Sequence, residues 1–324
     1  MIEAPQSESA SLPTMHFVHQ ARALNGAYLK LWHYFEYVRR SGRYSPSVYL
    51  APDSILQPTT TWTDPTVRWL NEWDPYRSDR LFLTAFNWRV VPEDCATPAL
   101  HLVQSILHAD PDNERYQFLR RRAFRITVNP AITDAINATG IVNGPVVTIP
   151  IGTDIQRPNG TDAELSPWTV ESRPIDVFIA GKKNPEVALV VADALRRTGV
   201  SVTCVTDNIP RPDFLSYLAR SRVVLALPFV KEGFFLVPLE AIGIGCVVVC
   251  PDGGGVEYYE RDVHLFKPQY NVEAVLDSVN RALASSAAEI EALRSAGAGL
   301  LQRHDLQREE RQFRAVLELF ESGW

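Results

Sequence analysis

The sequence predicts an α/β protein built as two parallel-sheet domains, and three observations carry that prediction. A chain of 324 residues exceeds what one hydrophobic core usually organises. Short apolar runs alternate with helical patterns along most of its length, the mark of strand-helix-strand units. A stretch rich in Pro, Asn, Gly, Thr and Ser at 156–174 interrupts the alternation near the middle and reads as a linker. The expected division is a first domain at 1–155, a second at 156–307, and a final helix at 308–324 that crosses back to the first.

Taken in order, residues 15–19, 47–51, 80–85, 100–103, 125–128 and 146–150 are short apolar or β-branched runs and read as the strands of the first sheet. Between the first two, residues 27–40 place Leu31, Tyr34, Phe35 and Val38 at helical spacing and stop before Ser41-Gly42. The second half repeats the pattern with strands at 175–180, 201–205, 222–227 and 246–250, each followed by a helix. Residues 115–125 mix basic and aromatic side chains. They are expected to form a helix with its apolar face inward, with contact to anionic lipid or a phosphorylated acceptor as the other reading. In the last helix Phe313, Val316, Leu317 and Phe320 share one face. That face must be buried, against the first domain or, in a homodimer, against a second copy with Trp324 taking part.

Composition narrows the function. A content of 46% apolar and 22% charged residues is that of an ordinary globular protein, and a net charge of −6 argues against wholesale binding to nucleic acid or anionic membrane. No apolar run approaches the roughly 20 residues of a membrane span. The polar N-terminus carries acids where a secretion signal carries basic residues, so the expected location is cytoplasmic, with peripheral attachment at the inner membrane face left open. Cys95, Cys204, Cys246 and Cys250 lack metal-ligand spacing and read as core thiols. No dinucleotide fingerprint or Walker-type phosphate loop occurs. Asp110-Pro111-Asp112 has the spacing of a metal-binding Asp-x-Asp but falls in a Pro-containing turn, so no metal site is expected.

The most informative segment is 231–260. Glu232, followed by Gly233, and Glu240 flank the apolar run 234–239; the strand 246–250 and the turn Asp252-Gly253-Gly254-Gly255 come next. The helical pattern at 237–243 puts the N–H groups of residues 234–237 at a helix N-terminus, which attracts phosphate. The glycine turn sits at the carboxyl end of a parallel strand, where open α/β sheets bind ligands. A carboxylate accepts two hydroxyl hydrogen bonds at once, which suits a vicinal diol.

Glu232, Gly233, Phe234, Leu236, Glu240, Ala241, Ile242, Gly245, Val247, Val248, Gly253, Gly254 and Glu257 resemble the donor-binding signature of the retaining glycosyltransferases of GT-B fold (family 4-like, glycosyl transferases group 1). Phe235 stands where that family usually has Gly, narrowing the space beside the donor sugar, and Cys246 where it often has Pro. The resemblance implies two Rossmann-like domains facing each other across a donor cleft. It implies a retaining hexosyltransferase that uses a nucleotide-sugar co-substrate without metal or other cofactor, with no nucleic-acid partner. Glu240 is expected to receive the ribose hydroxyls and Glu232 the hydroxyls of the transferred sugar. Lys182 or Lys183 in the loop after strand 175–180, the amides of Phe234, Phe235, Leu236 and Val237, and Gly253 and Gly254 are expected to hold the diphosphate.

Weaker echoes of the same family are the segment 150–154 that closes the first domain, the strand at 126–130, and Asn25-Gly26 at the place of its Gly-rich turn near the sugar and phosphate. Gln104 occupies the family's His position on the acceptor side. There it can orient a hydroxyl but not take a proton, and the Val-Gln form resembles polysaccharide rhamnosyltransferases. His108 is the other acceptor-side candidate, against a surface-His reading. The family is thought to displace the leaving group from the front face, the leaving phosphate taking the acceptor proton. UDP and GDP donors, and rhamnose, glucose, mannose or N-acetylhexosamine, remain open, with a carbohydrate, lipid-linked or small-molecule hydroxyl as acceptor. The alternatives are a non-catalytic sugar-nucleotide-binding partner protein and a GT-B epimerase or phosphorylase.

Overall fold

Seven parallel strands form the first sheet, in the order β3-β2-β1-β4-β5-β6-β7. They are β1 (Thr14–His19), β2 (Ser45–Leu50), β3 (Trp69–Leu70), β4 (Arg80–Thr84), β5 (Ala99–Val103), β6 (Phe124–Thr127) and β7 (Val146–Thr148). The computed structural model describes residues 12–19, 26–51, 54, 62, 64–155 and 172–323. Most of the linker at 156–174, Asn25 of the expected glycine turn, and Trp324 lie outside the described residues. Each of the six strands expected here forms, and β3 is an addition of only two residues at the sheet edge.

Helix α1 (Gly26–Ser41) covers this sheet with Leu31, Tyr34, Phe35 and Val38, all buried, and Phe35 meets Phe17 edge-on at 5.3 Å. Helix α2 (Pro130–Ala138) follows β6 and is capped by Asn129, which accepts from the Ile132 N–H. The connections after β4 and β5 are short 3-10 turns (Ala85–Val90, Ile106–Ala109, Glu114–Arg120) instead of full helices.

The basic run at 115–125 departs from expectation. It turns as a 3-10 helix that buries Phe118 and Leu119 and then enters β6. Arg125, the last residue of the run and part of the expected strand, is fully buried and donates to the carbonyls of Phe118, Leu119, Arg121, Ala123 and Asn143. A guanidinium carries five donors and no acceptor, so it suits a knot of converging loop carbonyls, and burial lowers its pKa to about 10.

The second sheet has four parallel strands in the order β11-β10-β8-β9: β8 (Ile175–Ala180), β9 (Val202–Val205), β10 (Ser221–Ala226) and β11 (Val247–Val249). Around it lie α3 (Pro185–Arg197), α4 (Arg211–Ala219), α5 (Leu236–Gly243), α6 (Val272–Leu283) and α7 (Ala287–Arg303). The central strands β8 and β10 and the strand β11 are largely apolar because both faces are covered, whereas β9 is half-buried along its length. Val177, Phe178, Ile179, Val224 and Leu225 are inaccessible to solvent. Cys246 and Cys250 are buried at the ends of β11, whereas Cys95 and Cys204 are partly exposed. No helix among the described residues is long and apolar enough to cross a membrane.

Helix α8 (Leu306–Gly323) lies against the first sheet's helical layer. Phe313 packs edge-on to Tyr34 at 4.8 Å, and Phe320 faces Phe124 at 6.3 Å. Fully burying each such aromatic contributes about 1.5–3 kcal/mol. The chain thus passes between domains twice, and the two passages touch. Thr153 N–H donates to the His304 carbonyl (2.9 Å), and Thr153 bridges Asp305 in parallel.

At this crossing Glu309 of α8 accepts from Lys30 of α1, from the Tyr37 hydroxyl (3.0 Å) and from the Gly152 N–H (3.1 Å), while Lys30 also donates to the Gly152 carbonyl (3.1 Å). Both charged side chains have no exposure. Burial pushes Lys30 down and Glu309 up, and each opposes the shift of the other. Removing one member leaves the other charged and buried. Glu309→Ala is therefore expected to lower stability by about 3–5 kcal/mol, and Lys30→Met combined with Glu309→Leu to recover much of that loss. Denaturant titrations of the single and double variants check this.

Candidate functional site

The site lies at the carboxyl ends of both sheets, and in the second sheet at the point where the order of strands reverses. In the second sheet, β8 leads through α3 to β9 on one side, and β10 lies on the other. The loops leaving the carboxyl ends of β8 and β10 therefore diverge around a crevice. Lys183, in the loop after β8, and Glu232, in the loop after β10, meet there as an ion pair although they are 49 residues apart. Glu232 also accepts from the Phe229 N–H (3.2 Å), and the Lys183 ammonium lies 4.3 Å from the centre of the Phe235 ring. Lys182 in the same loop donates to Asn208.

A cleft of about 570 Å³ separates this edge from the first domain. Of the residues singled out from sequence, Gly26, Gln104, Lys182, Lys183, Glu232, Gly233, Phe234, Phe235, Leu236 and Glu240 line it. Gln104 enters at the end of β5 and its amide donates to the Ala27 carbonyl (3.5 Å). Gly26 opens α1 directly opposite Leu236, the first residue of α5; a Cβ there would lie 3.0 Å from the Leu236 side chain. Gly233 is closer still, since a Cβ would fall 1.8 Å from the Gln104 carbonyl oxygen. Only glycine permits that approach, and it is where the Glu232 loop touches the first domain. Asn129 adds a hydrogen bond to the Gly233 carbonyl, and Lys231 pairs with Asp110 across the mouth (2.9 Å).

Gly253 and Gly254 do not line the cleft. They lie behind the Glu232 loop, where a Cβ on Gly254 would sit 2.2 Å from the Glu232 nitrogen and one on Gly253 2.8 Å from Pro228. Gly254 N–H donates to the Phe229 carbonyl, and Phe235 N–H donates to that of Gly255. The glycine turn is thus a brace for the acidic loop in place of the diphosphate contact expected of it. With the Phe235 amide occupied, the first-turn N–H groups of α5 facing the cleft are those of Leu236 and Val237; Pro238 has none, and no side chain caps the helix.

Glu240 sits one turn into α5, 4% exposed, and accepts from Arg211 Nη1 (2.5 Å); Arg211 Nη2 donates to Asp154 (2.7 Å). Burial raises the Glu240 pKa and Arg211 counters it. Neither Arg211 nor its tie to Asp154 was read from sequence. The available signal was position, because Arg211 begins the helix after the carboxyl end of β9, the side on which parallel sheets take ligands.

His108 is neither a surface residue nor an acceptor group. It is buried against His101 at 5.3 Å, bonded to the Ser105 carbonyl, held down at about 4 by burial, and away from the cleft. From the basic run, Arg115 reaches the cleft wall.

Sequence comparison assigns residues 171–298 to the family Glycosyl transferases group 1. No curated protein matches the sequence. Among solved structures, the fold resembles sucrose-phosphate synthase from Thermosynechococcus elongatus (TM-score 0.69, 13% identity, covering 96% of this chain and 100% of that one). It resembles a glycosyltransferase from Rickettsia africae (0.72, 11%, 97% and 100%) and Anabaena HepE in complex with UDP-glucose (0.70, 17%, 94% and 99%). The chain therefore has the GT-B fold of glycosyltransferases. The match to the glycosyl transferases group 1 family falls within its second half.

Lys183 supplies a pH test. Burial, reinforced by Lys182, pushes its ammonium down to about 7. A bound diphosphate stabilises the charged form and raises that value, so binding takes up a proton. Affinity for a nucleoside diphosphate is expected to be full below neutrality and to fall by up to about tenfold per unit above it. In Lys183→Arg the guanidinium stays charged and the decline should vanish; calorimetric titration at several pH values decides.

Proposed function

We propose that this protein is a retaining, metal-independent glycosyltransferase that moves a sugar from a nucleotide-sugar donor to a hydroxyl acceptor. The observation that carries the reading is the convergence on one interdomain cleft of Glu232, Lys183, Glu240 and the uncapped start of α5, facing Gln104 of the first domain. A carboxylate one turn into α5 suits a ribose diol, and the two lysines with the Leu236 and Val237 amides suit a diphosphate next to it. Glu232 then orients the sugar, and Phe235 limits the room beside it. The HepE complex with UDP-glucose makes uridine nucleotides the first donors to test.

In this reading the bond from the anomeric carbon to the diphosphate oxygen breaks while the acceptor oxygen bonds to the same face. The leaving phosphate oxygen receives the acceptor proton, so no side-chain nucleophile is needed. The protein contributes orientation and charge stabilisation. Gln104, which cannot accept a proton at neutral pH, fits an acceptor-positioning role.

Two substitutions test the assignment. Glu240→Ala should weaken nucleoside diphosphate binding and transfer together, by about 1.5–3 kcal/mol for charge-assisted hydrogen bonds; unchanged affinity in the folded variant removes Glu240 from the site. Glu232→Gln should reduce transfer in a donor-turnover assay far more than it changes binding of the bare nucleoside diphosphate; transfer at the parent rate would remove the assigned role. Nucleotide binding with neither transfer nor donor hydrolysis across UDP- and GDP-sugars would favour a non-catalytic binding protein.

A further inference from the structure

We propose that Arg211 is a positioning residue of the nucleoside subsite, fixing the Glu240 carboxylate in one orientation and tying it to the domain crossover. The inference rests on the assignment of Glu240 to the ribose. Arg211 is the first residue of α4, and its two terminal nitrogens are divided between carboxylates from separate parts of the chain. One goes to Glu240 on α5 at 2.5 Å, the other to Asp154 in the passage between domains at 2.7 Å. The planar fork of a guanidinium spans two such acceptors, and a lysine offers only a single point of charge. The Glu240 side chain is 5% exposed, that of Arg211 21%, and both line the cleft.

This geometry has two chemical effects. It commits Glu240 Oε1 to Arg211, so the carboxylate cannot rotate and the diol meets a preset acceptor. It also supplies a cation to a carboxylate that burial drives toward its neutral form. The groups facing Glu240 are Arg211 from α4, Asp154 from the crossover and Tyr259 from the loop after β11. Arg211 is the cation among them, and Asp154 opposes ionisation. His33 of α1 lies within the field of Arg211 but is held neutral, down at about 2. Without Arg211, Glu240 should protonate as the medium is acidified, and a protonated carboxyl offers a diol a poorer set of acceptors.

The link also has a mechanical side. Asp154 lies two residues from Gly152, which is held by Glu309 and Lys30. The orientation of Glu240 is thereby referenced to the crossing of the two domains.

The test is calorimetric titration of UDP and GDP into the wild type and into Arg211→Lys, Arg211→Gln and Asp154→Asn, from about pH 7 to about pH 5.5, with thermal melts to establish folding. Arg211→Gln should bind about tenfold more weakly at neutral pH and lose about another tenfold on acidification, while the wild type stays flat over that range. Arg211→Lys should restore the flat profile but only part of the affinity, and Asp154→Asn should weaken binding a few-fold. A folded Arg211→Gln that matches the wild type overturns the proposal and leaves the nucleotide reading standing. Equal weakening at every pH overturns the charge-holding role, since a purely structural part would behave that way. A wild type that binds neither diphosphate defeats both.

Discussion

The buried pair of Lys30 and Glu309 is the constraint on which the rest of the molecule hangs. It sits where the chain enters the second domain and where it leaves again, and it holds both passages to α1. Isolated, either charge would be costly there; together, with Tyr37 and the Gly152 backbone adding hydrogen bonds, they specify one docking of α8 that the apolar contacts of Phe313 and Phe320 alone would leave free to slide. Everything at the cleft inherits its geometry from that crossing. The crossover runs from Gly152 through Asp154 to Ile155, which packs so closely on α5 that Gly243 has no room for a side chain.

The cleft itself follows from topology. Two parallel sheets each reverse their strand order once, and each reversal leaves a gap between loops at the carboxyl ends of strands. Facing the carboxyl ends of the two sheets toward one another brings Gln104, after β5, and Gly26, after β1, against Glu232, Leu236 and Glu240 from the other domain. The chemistry is then set by residues of very different sequence origin. Burial beside a second lysine makes the Lys183 ammonium more acidic, while the Phe235 ring lies 4.3 Å from it. Glu240 is kept ionisable by a cation from another helix.

Much of this was legible in the chain, and the failures have physical causes. The expected strands are short apolar or β-branched runs set off by turn residues, and all ten formed; β3, two residues long, carries no such run. The motif residues from Gly233 to Glu240 reached the cleft because a single loop and the helix it feeds carry them together. Gly253 and Gly254 were misread because glycine serves equally to admit a phosphate and to admit another loop, and local sequence does not distinguish the two. The burial of Arg125 was not foreseen and His108 was misplaced because both depend on carbonyls and rings brought in by tertiary contact. The tie from Arg211 to Glu240 spans 29 residues and joins two helices, so no spacing rule exposes it.

The loop from Pro228 to Phe235 belongs covalently to one domain yet is shaped by both. Its back is braced by the glycine turn of its own domain, while its front rests on Gln104, Asn129 and Asp110 of the other. Parting the domains would remove the front supports, while Lys183 and the Phe229 amide would still grip Glu232 from behind. In the proposed reaction the loop would then lose its fixed distance to the acceptor side without losing its carboxylate anchor, so separating the domains would uncouple donor from acceptor and leave the sugar site itself assembled.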